Sequence, residues 1–259
     1  SQMFTTVYGH RGHRLIRFIW VLFNIIIWTL IWASIGIVLS LFDWSGRPIA
    51  WVANRWSRIL LYISGITYSI NGLEHLNPDQ QYVFIANHES AFDIFLVFAA
   101  LPYSLVFLAK KELKKIPFLG WAMILGRNIF VERKNHNAAL ASMEVAKKSL
   151  QKYPRSIMIF PEGTRSLDGN MKPFKKGGAI LSIQTGLPLV PMAICDTFDV
   201  VKKGSFSITP KPIHLEIGHP IDTSKYSFEE RNRVTELLRN KVVNLKSTWA
   251  AREPNSTNI

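Results

Sequence analysis

The sequence predicts an α/β fold, a mixed sheet flanked by helices, preceded by an N-terminal two-helix hairpin that anchors the chain to a membrane. Three observations carry this expectation. Residues 18–42 contain no charged side chain and are dense in Ile, Leu, Val and Trp. From residue 71 onward, short β-branched runs alternate with stretches of helical spacing, the rhythm of strands covered by helices. The 259 residues carry a net charge of +13, yet 48% are hydrophobic and the mean hydropathy is +0.11. Nucleic-acid binders are basic but seldom this apolar, so no nucleic-acid partner is expected. A basic, apolar chain with 8 Trp suits the anionic face of a bilayer. The lone Cys195 rules out an internal disulfide and a cysteine metal cage.

The hairpin is expected over residues 1–70. Its first helix, 18–42, exceeds the roughly 20 residues that span a hydrocarbon core. Arg11, Arg14 and Arg17 precede it and favour the cytoplasmic side. A turn at 43–48 leads to a second apolar segment, 49–70, interrupted by Asn54, Arg55 and Arg58. These three are placed on one face and Trp51, Ile59 and Tyr62 near another, so that the arginines meet lipid phosphates.

The second domain is expected over 71–259. Strands are predicted at 81–86 (QYVFIA), 104–109, 128–131, 156–160 (SIMIF), 189–194 and 214–217. Helices are predicted at 91–101, stopped by Pro102, at 136–153, stopped by Pro154, at 177–185, stopped by Gly186, and at 227–249. The polar tail 252–259 holds a formal glycosylation sequon at Asn255, read as a chance match.

Two constellations sit where strands end. The first is Asn87-His88-Glu89-Ser90-Ala91-Phe92-Asp93, after QYVFIA. On one continuous helix His88 and Asp93 would point about 140° apart, so His88 must precede the helix for Asp93 to reach it. Asp93 then fixes the tautomer of the ring, leaving the other nitrogen to take a proton from a hydroxyl. Alternatively the pair merely caps the helix, or Ser90 is a nucleophile with His88 as base, although no G-x-S-x-G elbow surrounds it. The second constellation is Phe160-Pro161-Glu162-Gly163-Thr164-Arg165-Ser166. Gly163 allows close backbone approach, Glu162 offers an acceptor for hydroxyls, and Arg165 a planar fork for phosphate. An ordinary Pro-Gly turn is the alternative. Arg133, after the strand containing Phe130, is a second candidate phosphate ligand, and Lys110, Lys111, Lys172, Lys175 and Lys176 add positive charge.

Together these elements resemble the glycerolipid acyltransferases of the lysophosphatidate (1-acyl-glycerol-3-phosphate) acyltransferase type. The family's N-H-x4-D block is matched at residues 87–93 and F-P-E-G-T-R-S in full at 160–166. G-x-x-F-I-x-R is matched loosely by Gly126, Phe130 and Arg133, with Val131 in place of Ile. The V-P-x-x-I block is matched by Val190, Pro191 and Ile194, and the A-K-x-E-L stretch at 109–113. The resemblance implies acyl transfer from acyl-CoA or acyl carrier protein to the sn-2 hydroxyl of lysophosphatidate, giving phosphatidate. His88 would be the base and Asp93 its partner, with direct attack on the thioester and no acyl-enzyme. Arg133 and Arg165 would bind phosphate, with Gly163, Thr164, Lys110 and Phe130 around it and Glu162 on the glycerol side. Val190 and Pro191 would border the acyl chain. A thioester is already activated, so neither metal nor cofactor is expected. Membrane phospholipids would surround the anchor at the cytoplasmic face of a bacterial inner membrane or its equivalent. Because these donors are cytoplasmic, the second helix is expected to return across the bilayer, or both helices to dip into one leaflet; a single span with the rest of the chain outside the cytoplasm is the alternative. The competing readings are transfer to another lysolipid, a lipid hydrolase, and a non-catalytic lipid-binding module on the same fold.

Overall fold

The computed structural model describes the backbone of residues 2–132 and 136–252, and the side chains of these apart from residues 2–13 and 136–140. Arg133 and the Asn255 sequon lie outside the described residues.

Two helices open the chain, α1 (Gln2–Ser40) and α2 (Arg47–Ile63). They pack against each other, and Trp56 Nε1 donates to Thr29 Oγ1 at 3.1 Å. Gly36 permits this approach, since a Cβ there would lie 2.7 Å from Ile49 Cδ1. Strands β1 (Tyr68–Asn71), β2 (Val83–Ala86), β3 (Leu105–Lys110), β4 (Ile129–Val131), β5 (Ser156–Ile159), β6 (Leu189–Cys195) and β7 (Ile213–Ile217) form one sheet in the order β1-β7-β6-β2-β5-β3-β4. Neighbours are parallel except β6 and β7, so β1 and β7 run against the other five. The remaining helices are α3 (Phe92–Ala100), α4 (Leu119–Leu125), α5 (His136–Lys152), α6 (Gly177–Thr185), α7 (Thr197–Val200) and α8 (Arg231–Arg252).

Alternating side chains divide the central strands between two cores. Phe84, Ala86, Phe107, Met158, Met192 and Ile194 face Leu60 and Leu61 of α2 and Phe92, Phe95 and Leu96 of α3. Val83, Ile85, Val106, Ile157, Ile159 and Ala193 face Leu150 of α5, Leu181 of α6, and Val234, Leu238 and Val242 of α8. The result is a helix–sheet–helix sandwich, in which burial on both faces makes the central strands read as continuous apolar runs.

Three sequence expectations change here. The segment 49–70 is not one helix. It ends at Ile63, and β1 follows across the expected boundary at residue 70, pairing with β7 from Tyr68↔Ile213 to Asn71↔Glu216. Tyr68 and Ile70 turn inward while Ser69 and Asn71 are exposed, the period of a strand. On α2, Trp51 joins Arg55, Arg58 and Tyr62 on the exposed face, at helical spacing. Asn54 turns inward, its amide donating to Phe98 O at 2.7 Å. Helix α4 was not anticipated, since seven residues are too few to display a helical period.

Helix α1 contains a 27-residue stretch, Arg14–Ser40, long and apolar enough to cross a membrane. Phe18, Val21, Ile25 and Trp28 pack on the core beneath α2 and α3, and Ala33 packs with Ile49 of α2 and Ala122 of α4. Ile16, Ile19, Trp20, Phe23 and Leu30 are exposed.

Candidate active site

Strands β2 and β5 are parallel neighbours, so the segments leaving their carboxyl ends emerge side by side. That is where α/β sheets place ligands. His88 follows β2, and Glu162 follows β5.

Asn87 ends the β2 ladder with its side chain. Its Nδ2 donates to Ile194 O and its Oδ1 accepts from Ile194 N, both at 2.8 Å, so the amide mimics one more residue pair with β6. The backbone is thereby free to turn away from the sheet at His88. Asp93 lies in the first turn of α3, where the helix dipole favours a carboxylate. Its Oδ2 accepts from His88 Nδ1 at 2.7 Å and from the N–H groups of Glu89 and Ser90 at 2.7 and 2.9 Å. Since the carboxylate only accepts, Nδ1 carries a proton, and in the neutral ring Nε2 is the nitrogen with the lone pair. Among the described residues no hydrogen bond occupies Nε2. The imidazole stacks on Phe160, with centroids 4.1 Å apart and planes 13° from parallel.

The two constellations interlock through the backbone N–H and C=O of His88. Its N–H donates to Glu162 Oε1 at 2.7 Å, and its carbonyl accepts from Ser166 N at 2.8 Å. Glu162 Oε2 accepts from Lys172 N at 2.8 Å. Burial pushes the Glu162 carboxyl above the usual carboxylate range, and the N–H groups of Lys172 and His88 oppose that rise. Each Glu162 oxygen accepts one backbone N–H, which leaves a further lone pair on each for the substrate hydroxyls expected there.

Gly163 takes φ +74° in the turn closed by its N–H to Phe160 O, a conformation natural to glycine. A Cβ there would come within 2.9 Å of Lys175 Nζ, so an ammonium lies over the turn. Thr164 and Arg165 are half-buried on the same turn, and Arg165 has no ion-pair partner among the described residues. Lys110 ends β3, exposed, 3.4 Å from Glu112. Phe130 is half-buried on β4 beneath Lys114. Neither has a described contact with His88 or Glu162.

Val190 and Pro191, expected to border the acyl chain, lie on β6. Both are buried within β6, Val190 in the core on the α2–α3 face. Their strand is central and covered on both faces. The Ser90 nucleophile is corrected. Its hydroxyl is fully buried and donates to Val201 O at 3.1 Å, while His88 Nδ1 is committed to Asp93. Sequence reasoning missed the roles of Asn87 and Ser166. An amide placed where a strand must release its chain was the available signal for Asn87.

The chain matches the Acyltransferase family over residues 68–195. It is 35% identical over 201 residues to a 1-acyl-sn-glycerol-3-phosphate acyltransferase of Limnanthes douglasii, covering 77% of this chain and 70% of that one. A Borreliella burgdorferi protein of the same name is 31% identical over 188 residues, covering 72% of this chain and 74% of that one. The crystal structure of the 1-acyl-sn-glycerophosphate acyltransferase from Thermotoga maritima superposes with a TM-score of 0.77 at 25% identity, over 91% of this chain and 97% of that one. With the sheet, the His–Asp pair and these relatives in agreement, the chain belongs to the 1-acyl-sn-glycerol-3-phosphate acyltransferase family.

Proposed function

We propose that the protein transfers a fatty acyl group from acyl-CoA or acyl carrier protein to the sn-2 hydroxyl of 1-acyl-glycerol-3-phosphate, yielding phosphatidate. The observation that carries this reading is the 2.7 Å contact of His88 Nδ1 with buried Asp93, which leaves Nε2 as a base. Nε2 takes the proton of the acceptor hydroxyl as its oxygen bonds to the thioester carbonyl carbon. The tetrahedral intermediate collapses, the C–S bond breaks, and the imidazolium returns its proton to the leaving thiolate. Asp93 stabilises the imidazolium between these steps. No acyl-enzyme is needed, in keeping with the buried Ser90 hydroxyl.

The phosphomonoester is placed at the 161–166 turn, on Arg165, which lacks a described counter-ion. Arg133 is assigned to the same group. Glu162 acts by holding the base in position. The α1–α2 hairpin anchors the α/β domain at the cytoplasmic face. A helix whose one face packs on α2 and the core from Phe18 to Ala33 cannot stand across a bilayer while that domain stays in water. Both helices therefore lie in one leaflet, with the exposed apolar face of α1 in hydrocarbon and Arg55 and Arg58 near lipid phosphates.

The test is acyl transfer from radiolabelled thioester to lysophosphatidate in detergent micelles. His88→Ala should lower kcat by about 10²- to 10⁴-fold. Near-complete activity in the variant would remove His88 from the mechanism, and an inactive wild type with every thioester donor tried would favour the non-catalytic reading.

A further inference from the structure

The segment leaving β6 and α7 touches both site constellations and the N-terminal helix. Val201 O accepts the buried hydroxyl of Ser90. The next residues form a tight turn in which Ser205 N donates to Lys202 O and Gly204 takes φ +83°, the pattern of a type II turn with Lys203 at its tip. From there Lys203 Nζ donates to Thr164 Oγ1 at 2.9 Å, beside Arg165. Two residues beyond the turn tip's glycine, Phe206 is exposed and meets Phe18 of α1 edge-on, with centroids 5.5 Å apart. The 202–206 segment thus joins the 161–166 turn to the helix we place in the leaflet.

The charge around that turn is unbalanced. Arg165, Lys175 and Lys203 have no carboxylate in ion-pair reach among the described residues, and the one acid within the turn, Glu162, is committed to two backbone N–H groups. A hydroxyl is a weak partner for an ammonium compared with a phosphate dianion. We propose that Lys203 is a phosphate ligand for the acceptor lipid. Its ammonium turns from Thr164 to the phosphomonoester on the side of the site facing α1, where a lysolipid enters from the leaflet. This rests on the placement of the phosphate at the 161–166 turn. Nothing in the sequence pointed to Lys203, which lies outside every motif block.

The neighbouring lysine supplies a control of equal charge. Lys202 Nζ lies over the Phe198 ring, 5.1 Å from its centroid. Initial rates are measured with 1-oleoyl-lysophosphatidate in detergent micelles at a saturating thioester donor, for wild type, Lys203→Gln, Lys203→Arg, Lys202→Gln and Arg165→Ala. Lys203→Gln should raise the KM for lysophosphatidate about tenfold, as for one lost charge-assisted hydrogen bond. Its kcat should stay within about twofold, Lys203→Arg should restore most of the KM, and Lys202→Gln should leave it near wild type. A fall in kcat or in melting temperature at unchanged KM would make Lys203 a structural residue and overturn the inference. Equal effects of Lys203→Gln and Lys202→Gln would reduce it to diffuse charge and overturn it as well. An unchanged KM in Lys203→Gln beside a raised KM in Arg165→Ala defeats Lys203 by itself. Unchanged KM values in both remove the phosphate from this turn altogether.

Discussion

Glu162 Oε1 accepts the backbone N–H of His88 at 2.7 Å, across 74 residues of sequence. The glutamate after β5 therefore helps set the position of His88 after β2. With the bond from Ser166 N to His88 O, both backbone polar groups of His88 are held. The two most legible sequence blocks are thus one mechanical unit.

Glu162→Ala should lower kcat by about 10²-fold, the effect of misplacing a reacting group by about an ångström. It should also strand the N–H groups of His88 and Lys172, at about 1–3 kcal/mol each, offset by the removal of a buried charge. A hydroxyl-binding role would instead raise the acceptor KM with kcat unchanged. Steady-state kinetics in micelles separate the two.

The burial that raises the Glu162 carboxyl pKa gives a stability signature of definite sign. A folded pKa above the unfolded value of about 4.3 means the group's contribution is fully present below that pH and is lost as pH rises through the folded value. Wild type compared with Glu162→Gln should therefore be relatively most stable in acid and lose that advantage on the way to neutrality. Melting temperatures of both proteins from pH 4 to 7 check this, and a wild type that gains on the variant as pH rises would contradict it.

Asn87→Ala should cost about 1–3 kcal/mol, because Ile194 N–H and C=O lose their partners in a fully buried place. Asn87→Asp should be no better, since a carboxylate oxygen would then face Ile194 O. Denaturant unfolding measures both. A neutral result would mean that water replaces the amide and that the strand does not need it.

Ile19→Lys with Phe23→Lys tests the anchor. Both side chains are more than half exposed on α1, so the pair should change folding stability by less than about 1 kcal/mol in detergent, as for two surface substitutions. Flotation with anionic vesicles should show a clear loss of bound protein. Undiminished binding would place the lipid contact elsewhere.

The class of fold, the strands around the site and the pairing of His88 with Asp93 are legible in the sequence. These are written in local signals: apolar runs bounded by Pro and Gly, and a strand end followed at once by a helix start. The sequence also indicated the apolar N-terminal helix, through length and absence of charge. The rest depends on contacts between segments distant in sequence. β1 was hidden because Tyr68 and Ile70 extend an apolar run, and only pairing with β7 gives them a strand's alternation. The backbone N–H of His88 as a partner of Glu162 cannot be read locally, because only the adjacency of β2 and β5 brings it there. The burial of Val190 and Pro191 comes from the sandwiching of β6 on both faces, which no local pattern states. Lys203 had no motif to mark it, and its place beside Thr164 exists only because a turn 39 residues away folds back over the site. Local composition specifies which element a residue joins, whereas partners distant in sequence are fixed only when the sheet order brings their strand ends together.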